Sequence, residues 1–144
     1  MAVVTWTNQS PCPCFRWKEA IDLLEEMIAG GRSGVSPSVV SYNAAISACA
    51  RGRKPDVALS LLEDMRKRSG IRPNRYSFAA ALSALARIGR AGRALRLLDE
   101  MREEGVEPDA VCFVAAMEAC ENRGSWREAD LLLEQVWFSL YLWL

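Results

Sequence analysis

Paired carboxylates are the first residues in this chain that could do chemistry, because two neighbouring acids can divide general acid and general base roles. Three pairs occur inside leucine-rich stretches: Glu25/Glu26, Glu63/Asp64 and Asp99/Glu100. The chain contains no histidine, no glycine-rich phosphate loop and no nucleophile motif that would complete a catalytic site. The recurrence of the pairs instead predicts a solvated face on an outer layer of helices, and we expect no enzyme activity.

The five cysteines could bind a metal or form disulfides. Cys12 and Cys14 flank a proline, but a zinc site needs more ligands, and the chain offers no histidine and no second cysteine pair nearby. Cys49 and Cys120 occupy equivalent inward positions of the repeated units described below, which predicts reduced cysteines in a core. We therefore expect neither a metal nor another cofactor.

Positive charge is concentrated in the middle of the chain, although the net charge is zero. Residues 51–102 contain 13 Lys and Arg against 5 Asp and Glu, and the remainder contains 5 against 13. Four arginines at intervals of three form what we term the arginine stripe: Arg87, Arg90, Arg93 and Arg96. The stripe fits a polyanion, whose binding releases counterions. It fits equally well a solvated face in which the arginines pair with Asp99 and Glu63.

The elements that must position these residues repeat along the chain at spacings of 38, 36 and 35 residues. In each copy an alanine precedes a bulky apolar residue by seven positions beside a leucine-rich stretch, and a proline closes three of the copies. These residues are Ala20, Ala58, Ala94 and Ala129, with Pro37, Pro73 and Pro108. A period in this range indicates a stacked helical array, in which a small recurrent residue lets paired helices approach closely.

Each repeat contains two amphipathic stretches with apolar residues at helical spacing, and none alternates as a strand would. In residues 39–74 the second stretch ends at Gly70 and Pro73. The sequence therefore predicts an all-α solenoid. Its predicted parts are an irregular segment (1–14), a partial repeat (15–38), two repeats (39–74 and 75–109) and a terminal repeat with an apolar tail (110–144).

Polar residues at the predicted helix starts have the types that cap helices. Ser38, Asn74 and Asp109 each follow a proline and precede a helix, where a side-chain oxygen can accept a backbone N–H. Ser125 and Glu128 have the spacing of a capping box.

Both ends depart from the repeat pattern. Pro11 and Pro13 would break the first helix of an opening repeat. The absence of acidic residues before Glu19 is faintly typical of an organelle transit peptide, but the arginine-rich amphipathic character is missing. The apolar tail VWFSLYLWL either folds over the open end, docks onto something, or marks a fragment of a longer array. No stretch approaches the roughly 20 apolar residues of a membrane helix.

The repeat resembles the pentatricopeptide repeat. The resemblance rests on the 35-residue unit 75–109, the opening VVSYNAAISAC and the ending EDMRKRSGIRPN, and it extends over residues 15 to about 137. Tetratricopeptide repeats have a similar length, but their first-helix glycine is missing here. The resemblance implies a right-handed α-solenoid of about three and a half helix–turn–helix repeats.

The resemblance also implies that single-stranded RNA is the partner, with one base read per repeat by two or three side chains. In the first complete repeat the implied reader positions fall on Asn43 and Asn74, with Val40 packing on the base, which implies cytidine over uridine. The next repeat has Tyr76 as the packing residue, and its reader positions hold Ala79 and Asp109. The last has Val114, packed by Val111. Ala79 and Val114 cannot hydrogen-bond a base, so they depart from the family pattern.

Family resemblance further implies a role in RNA processing, editing, splicing or stability in a chloroplast or mitochondrion, possible partners being other organellar RNA-processing proteins. A protein–protein scaffold is the alternative. It would use the solenoid groove or the apolar tail around Trp137, Phe138, Tyr141 and Trp143, and the apolar reader positions favour it. A degenerate fragment without a selected function is the third reading.

Overall fold

The computed structural model describes residues 16–30, 34–68 and 70–142, and this part of the chain contains helices and no strand. The helices are α1 (Arg16–Ile28), α2 (Val39–Arg51), α3 (Pro55–Lys67), α4 (Arg75–Ala86), α5 (Ala91–Glu103), α6 (Ala110–Arg123) and α7 (Trp126–Leu142). The prediction of an all-α solenoid is confirmed. Predictions made for residues 1–14 and for Trp143 lie outside the described residues.

The helices form two layers. The first helices of successive repeats, α2, α4 and α6, pack directly on one another and form the inner layer. Each following helix is wedged between two of them: α3 contacts α2 and α4, and α5 contacts α4 and α6. The inner layer is close-packed because its contacts use small buried side chains, among them Ala45, Ala81, Ala84, Ala116 and Ala119.

The recurrent alanine lies where the sequence predicts tight packing. Ala58 and Ala94 are fully buried on α3 and α5. Ala20 and Ala129, in α1 and α7, are only half-buried, and among the described helices α1 packs mainly on α2 and α7 mainly on α6. The core around Ala58 and Ala94 is completed by leucine and methionine side chains, including Leu62, Met65, Leu98 and Met101.

Three of the predicted caps are confirmed. The side chains of Ser38, Asn74 and Asp109 accept hydrogen bonds from the third backbone N–H of α2, α4 and α6. The capping box predicted at Ser125 is wrong. In the described residues, Glu128 makes no hydrogen bond back to the start of α7, and its Oε2 atom is buried without a partner.

A tether holds the turn between α4 and α5 against the next repeat. Asn122, near the end of α6, donates from Nδ2 to the carbonyl of Ala86 at 2.8 Å. Gly89 lies in the same turn with a φ of +75°, and a Cβ atom there would meet the backbone of Asn122 at 3.1 Å. Glycine is therefore needed both for the left-handed backbone and for the close approach.

As far as Leu142, where the described residues end, the apolar tail continues α7 as a helix and leaves its aromatic side chains exposed. Trp137, Phe138 and Tyr141 are 72%, 71% and 77% exposed. Leu131 and Phe138, with Arg102 of α5, line a surface pocket of about 520 Å³. None of the described helices is both long and apolar enough to cross a membrane.

Candidate nucleic-acid interface

Asn43 and Asn74 lie in contact, although 31 residues separate them. Asn43 occupies the second turn of α2, and Asn74 is the N-cap of α4, the neighbouring helix in the inner layer. Asn43 Nδ2 donates to Asn74 Oδ1 at 3.2 Å. Ser77, on the first turn of α4, joins both: its Oγ donates to Asn43 Oδ1, and its backbone N–H donates to Asn74 Oδ1 at 3.1 Å. We term these three residues the amide cluster.

The cap fixes the orientation of both amides. A backbone N–H can only donate, so the bond from Ser77 requires the oxygen of Asn74 to point toward α4. Asn43 must then turn its nitrogen toward that oxygen. The backbone N–H of Asn74 donates to Ser77 Oγ at 3.2 Å. The one hydroxyl hydrogen of Ser77 then has two acceptors in reach, Asn43 Oδ1 and, at 3.1 Å, Asn74 Oδ1, and the contact with Asn43 is the shorter.

The amide cluster offers mainly donors to a ligand. Both lone pairs of Asn74 Oδ1 are filled, and one of the two on Asn43 Oδ1 is filled. Asn74 Nδ2 has no partner among the described residues and is not buried, so its two N–H groups are free, as is the second N–H of Asn43. A ligand with adjacent acceptor atoms matches this arrangement.

Two exposed side chains stand on either side of the amide cluster. Val40 lies one turn before Asn43 on α2, and Tyr76 lies between Asn74 and Ser77 on the first turn of α4. Both are 75% exposed. They occupy equivalent positions of consecutive repeats, so a flat ligand reaching the amides would contact an aliphatic side chain on one side and an aromatic ring on the other.

The next repeat lacks such a cluster. Ala79 occupies the position equivalent to Asn43, and Asp109 accepts from the backbone N–H of Cys112 at 3.1 Å. Burial raises the pKa of Asp109, but the hydrogen bond from Cys112 and the nearby charge of Arg75 outweigh it, so this pKa lies below its ordinary value. A pocket of about 580 Å³ opens beside Asp109 and Arg75. In the terminal repeat Val111 and Val114 are 58% and 54% exposed.

The arginine stripe lies away from the amide cluster. Arg87 and Arg90 flank the turn after α4, whereas the amide cluster lies at the start of that helix. A 12-residue helix is about 18 Å long. Arg72 and Arg75 flank Asn74 along the chain, are exposed, and make no ion pair with any described residue, although the charge of Arg75 also acts on Asp109 of the next repeat. The spacing of the arginines in the sequence did not reveal these positions, because spacing alone does not show at which end of a helix a charged residue lies.

The predicted ion-pair partners of the stripe are wrong. Arg90 pairs with Asp56 of the preceding repeat at 2.6 Å, and Arg93 pairs with Glu100 at 3.1 Å. Asp99 pairs with Arg102, at 3.9 Å. Two of the four stripe arginines therefore already have anionic partners on the second helices, one of them across a repeat boundary.

The cysteines of the first helices are buried and free. Cys49 and Cys120 lie in the core as predicted, and Cys112 joins them. Burial raises the pKa of Cys49 and of Cys112 to about 11, because the apolar surroundings disfavour the thiolate. The described residues contain no group of three His, Cys, Asp or Glu side chains that could hold a metal ion. Cys12 and Cys14 lie outside the described residues.

Comparison with known proteins identifies the class and then the family. PPR10 in complex with an 18-nt psaJ RNA element superposes with a TM-score of 0.71 and 23% identity over 82% of this chain and 17% of PPR10. PPR10 from maize gives a TM-score of 0.71 and 21% identity over 86% of this chain and 18% of PPR10. The class is therefore an all-helical solenoid of repeats.

Family models described as PPR repeat family and PPR repeat match residues 37–87 and 76–106. A pentatricopeptide repeat-containing protein of Arabidopsis thaliana is 46% identical over 52 residues, which is 36% of this chain and 9% of that protein. Residues 37–106 of this chain are therefore pentatricopeptide repeats. The chain spans less than a fifth of the length of each of these relatives.

Proposed function

We propose that this chain binds single-stranded RNA along the inner helical layer, and that Asn43 and Asn74 read one pyrimidine base. The observation that carries the proposal is the amide cluster, whose free donors lie between the exposed side chains of Val40 and Tyr76. Base stacking on such side chains and hydrogen bonding at base edges are how proteins recognise single-stranded RNA. That PPR10 was solved with an RNA element supports the same proposal.

The free donors favour cytidine over uridine. On the Watson–Crick edge of cytosine the acceptors O2 and N3 are adjacent, so neighbouring amide N–H groups can donate to both. In uracil the N3–H donor separates O2 from O4 and opposes a donor-rich site. The preference depends on the cap of α4, because the cap turns the oxygen of Asn74 away from the ligand.

Phosphate contacts would come from Arg72 and Arg75. Both flank Asn74 along the chain, whereas the first two stripe arginines, Arg87 and Arg90, lie at the other end of α4. Each neutralised phosphate of a single strand contributes about −0.7 to the slope of log K against log salt concentration. Two contacts therefore predict a slope of about −1.4.

The affinity for RNA is limited by the number of repeats that have a complete set of base-reading side chains. One well-stacked or well-paired base contributes roughly 1–3 kcal/mol, against an association cost of roughly 4–15 kcal/mol. With one amide cluster in the described repeats, we expect a Kd weaker than about 1 µM. In this proposal the chain binds RNA without catalysing a reaction, and its specificity centres on one base.

The test is fluorescence anisotropy with cytidine-rich, uridine-rich and adenosine-rich RNA and a matched DNA at several salt concentrations. The expected result is a cytidine preference that Asn43→Ala removes and that Ser47→Ala, one turn further along α2, leaves unchanged. Arg72→Ala or Arg75→Ala should reduce the salt slope by about 0.7, and Arg96→Ala in the stripe should not. Absence of binding at low salt contradicts the proposal.

We place this activity, by family resemblance, in organellar RNA processing, editing, splicing or stability in a chloroplast or mitochondrion. Other RNA-processing proteins of the organelle are candidate partners. Imaging of the fluorescently tagged protein in cells of its source organism tests the location, and accumulation outside both organelles contradicts it.

A protein–protein scaffold is the second candidate function. Ala79 and Val114 at reader positions favour it, as does the exposed aromatic surface of Trp137, Phe138 and Tyr141. Failure of every RNA in the panel, together with a stable complex lost in Trp137→Ala, would support the scaffold over the RNA reader.

A further inference from the structure

Ser77 is the fully buried polar residue of the described chain, and it belongs to the repeat after the one whose reader it touches. Asn43 lies in residues 39–74, whereas Ser77 opens the repeat 75–109. Ser77 Oγ is nonetheless bonded to Asn43 Oδ1 across 34 residues. The same hydroxyl accepts from the backbone N–H of Asn74 at 3.2 Å, so it connects the capping box of α4 to the reader of the preceding repeat.

The hydroxyl of Ser77 has a function that the cap alone does not supply. The backbone N–H of Ser77 already fixes Asn74, and any residue at this position provides that N–H. Only the side-chain hydroxyl holds the oxygen of Asn43 inward. Without it, Asn43 keeps a single bond, from Nδ2 to Asn74, about which its amide can turn.

The next repeat boundary lacks both groups. Cys112 occupies the repeat position of Ser77, and the residue at the repeat position of Asn43 is Ala79, which has no amide to orient. The hydroxyl of Ser77 and the amide of Asn43 thus occur together at one repeat boundary. At the next boundary the equivalent positions hold the thiol of Cys112 and the methyl group of Ala79. Cys112 is fully buried, so the fold accommodates a cysteine at this position.

We propose that Ser77 is a positioning residue for base reading, so that the base preference of the repeat 39–74 is set partly by the repeat that follows it. This inference rests on the proposed RNA-binding function. Ser77 does not touch the base. It holds the amide of Asn43 with its free N–H outward, and thereby maintains the donor-rich edge that distinguishes cytidine from uridine.

The test compares Ser77→Cys with Ser41→Ala. Cys112 shows that the first variant is compatible with the fold, and Ser41 is a capping-box hydroxyl one repeat earlier, bonded to the backbone N–H and the hydroxyl of Ser38 and to no side-chain amide of the described residues. We expect Ser77→Cys to lower the ratio of cytidine to uridine affinity roughly 2- to 10-fold, the effect of one neutral hydrogen bond. Ser41→Ala should leave the ratio unchanged.

A second readout does not require RNA. In the free protein, NMR signals of the Asn43 side-chain amide should shift and exchange faster with water in Ser77→Cys, while those of Asn122 should not. An unchanged base preference and unchanged Asn43 signals in a variant that still binds RNA would overturn this inference alone. Failure of the parent chain to bind any RNA would overturn the proposed function and the role of Ser77 in base preference with it.

Discussion

Asn74 combines a structural task and a proposed recognition task, and two substitutions separate them. Its Oδ1 accepts from Ser77 and from Asn43, at 3.1 and 3.2 Å, whereas its Nδ2 is free. Asn74→Ala removes both atoms. Asn74→Asp keeps an oxygen in the capping position and replaces the free donor with an acceptor.

The structure gives different magnitudes for the two changes. Loss of an N-cap costs roughly 0.5–2 kcal/mol, and Asn74→Ala should fall in the upper part of that range because the backbone N–H of Ser77 that loses its partner is buried. Asn74→Ala should therefore lower the melting temperature by roughly 3–10 °C for a chain of this size. Asp and Asn are equivalent N-caps, and a carboxylate suits a helix N-terminus, so Asn74→Asp should lie within about 0.5 kcal/mol of the parent.

The assay joins thermal unfolding by circular dichroism with RNA anisotropy. Asn74→Asp should melt at the temperature of the parent chain but should prefer uridine to cytidine, because a carboxylate can accept from the N3–H of uracil. Ser38→Ala is the control, since it removes the cap of α2 without touching the amide cluster. The reasoning is refuted if Asn74→Asp melts as early as Asn74→Ala, or if it melts normally and still prefers cytidine.

Three further predictions concern packing and pH. Ala94→Leu should destabilise by about 1–3 kcal/mol through overpacking, whereas Ala44→Leu on the exposed face of α2 should have little effect; equal melting of the two would contradict the assigned register. The thiols of Cys49 and Cys112 have a pKa of about 11 in the folded chain, against an ordinary value of 9.0. The free energy of unfolding that comes from keeping these thiols protonated is present below pH 9 and should be lost progressively as the pH rises from about 9 to 11. Thermal unfolding at alkaline pH should show this loss in the parent chain and not in the Cys→Ala variants. The lowered pKa of Asp109 gives stability that is present above its unfolded pKa and lost on acidification, and Asp109→Asn should remove that part of the acid dependence in a pH titration of the melting temperature.

The fold could be predicted from the sequence because its determinants are local. The recurrent alanines, the helical spacing of apolar residues and the caps at Ser38, Asn74 and Asp109 each act within one turn or one helix pair. The box at Ser125 failed although its spacing was correct. The Glu128 side chain does not reach back to the helix start, and its Oε2 atom is buried without a partner.

The candidate site could be predicted only in part. The resemblance to the pentatricopeptide repeat pointed to Asn43 and Asn74 as base-reading positions, and the structure places these two residues in contact. Ser77 was missed because a serine three residues after an N-cap is typical of a local capping box, and its bond to Asn43 crosses 34 residues. The ion pairs of the arginine stripe were predicted wrongly for the same reason, since Arg90 pairs with Asp56, which is also 34 residues away. Contacts at this separation arise from the stacking of repeats and not from local spacing.

The amide cluster straddles the boundary at which the sequence itself repeats. Asn43 and Asn74 belong to one unit, residues 39–74, and Ser77 belongs to the next, so an array of n such repeats holds n − 1 complete clusters. Anyone recombining these units as modules should therefore not join them at Pro73 and Asn74. A junction in the turn near Gly52 would divide the cluster too, because Asn43 precedes that turn whereas Asn74 and Ser77 follow it. The transferable part is therefore the continuous stretch from Asn43 to Ser77, which carries the first turn of the following repeat with it.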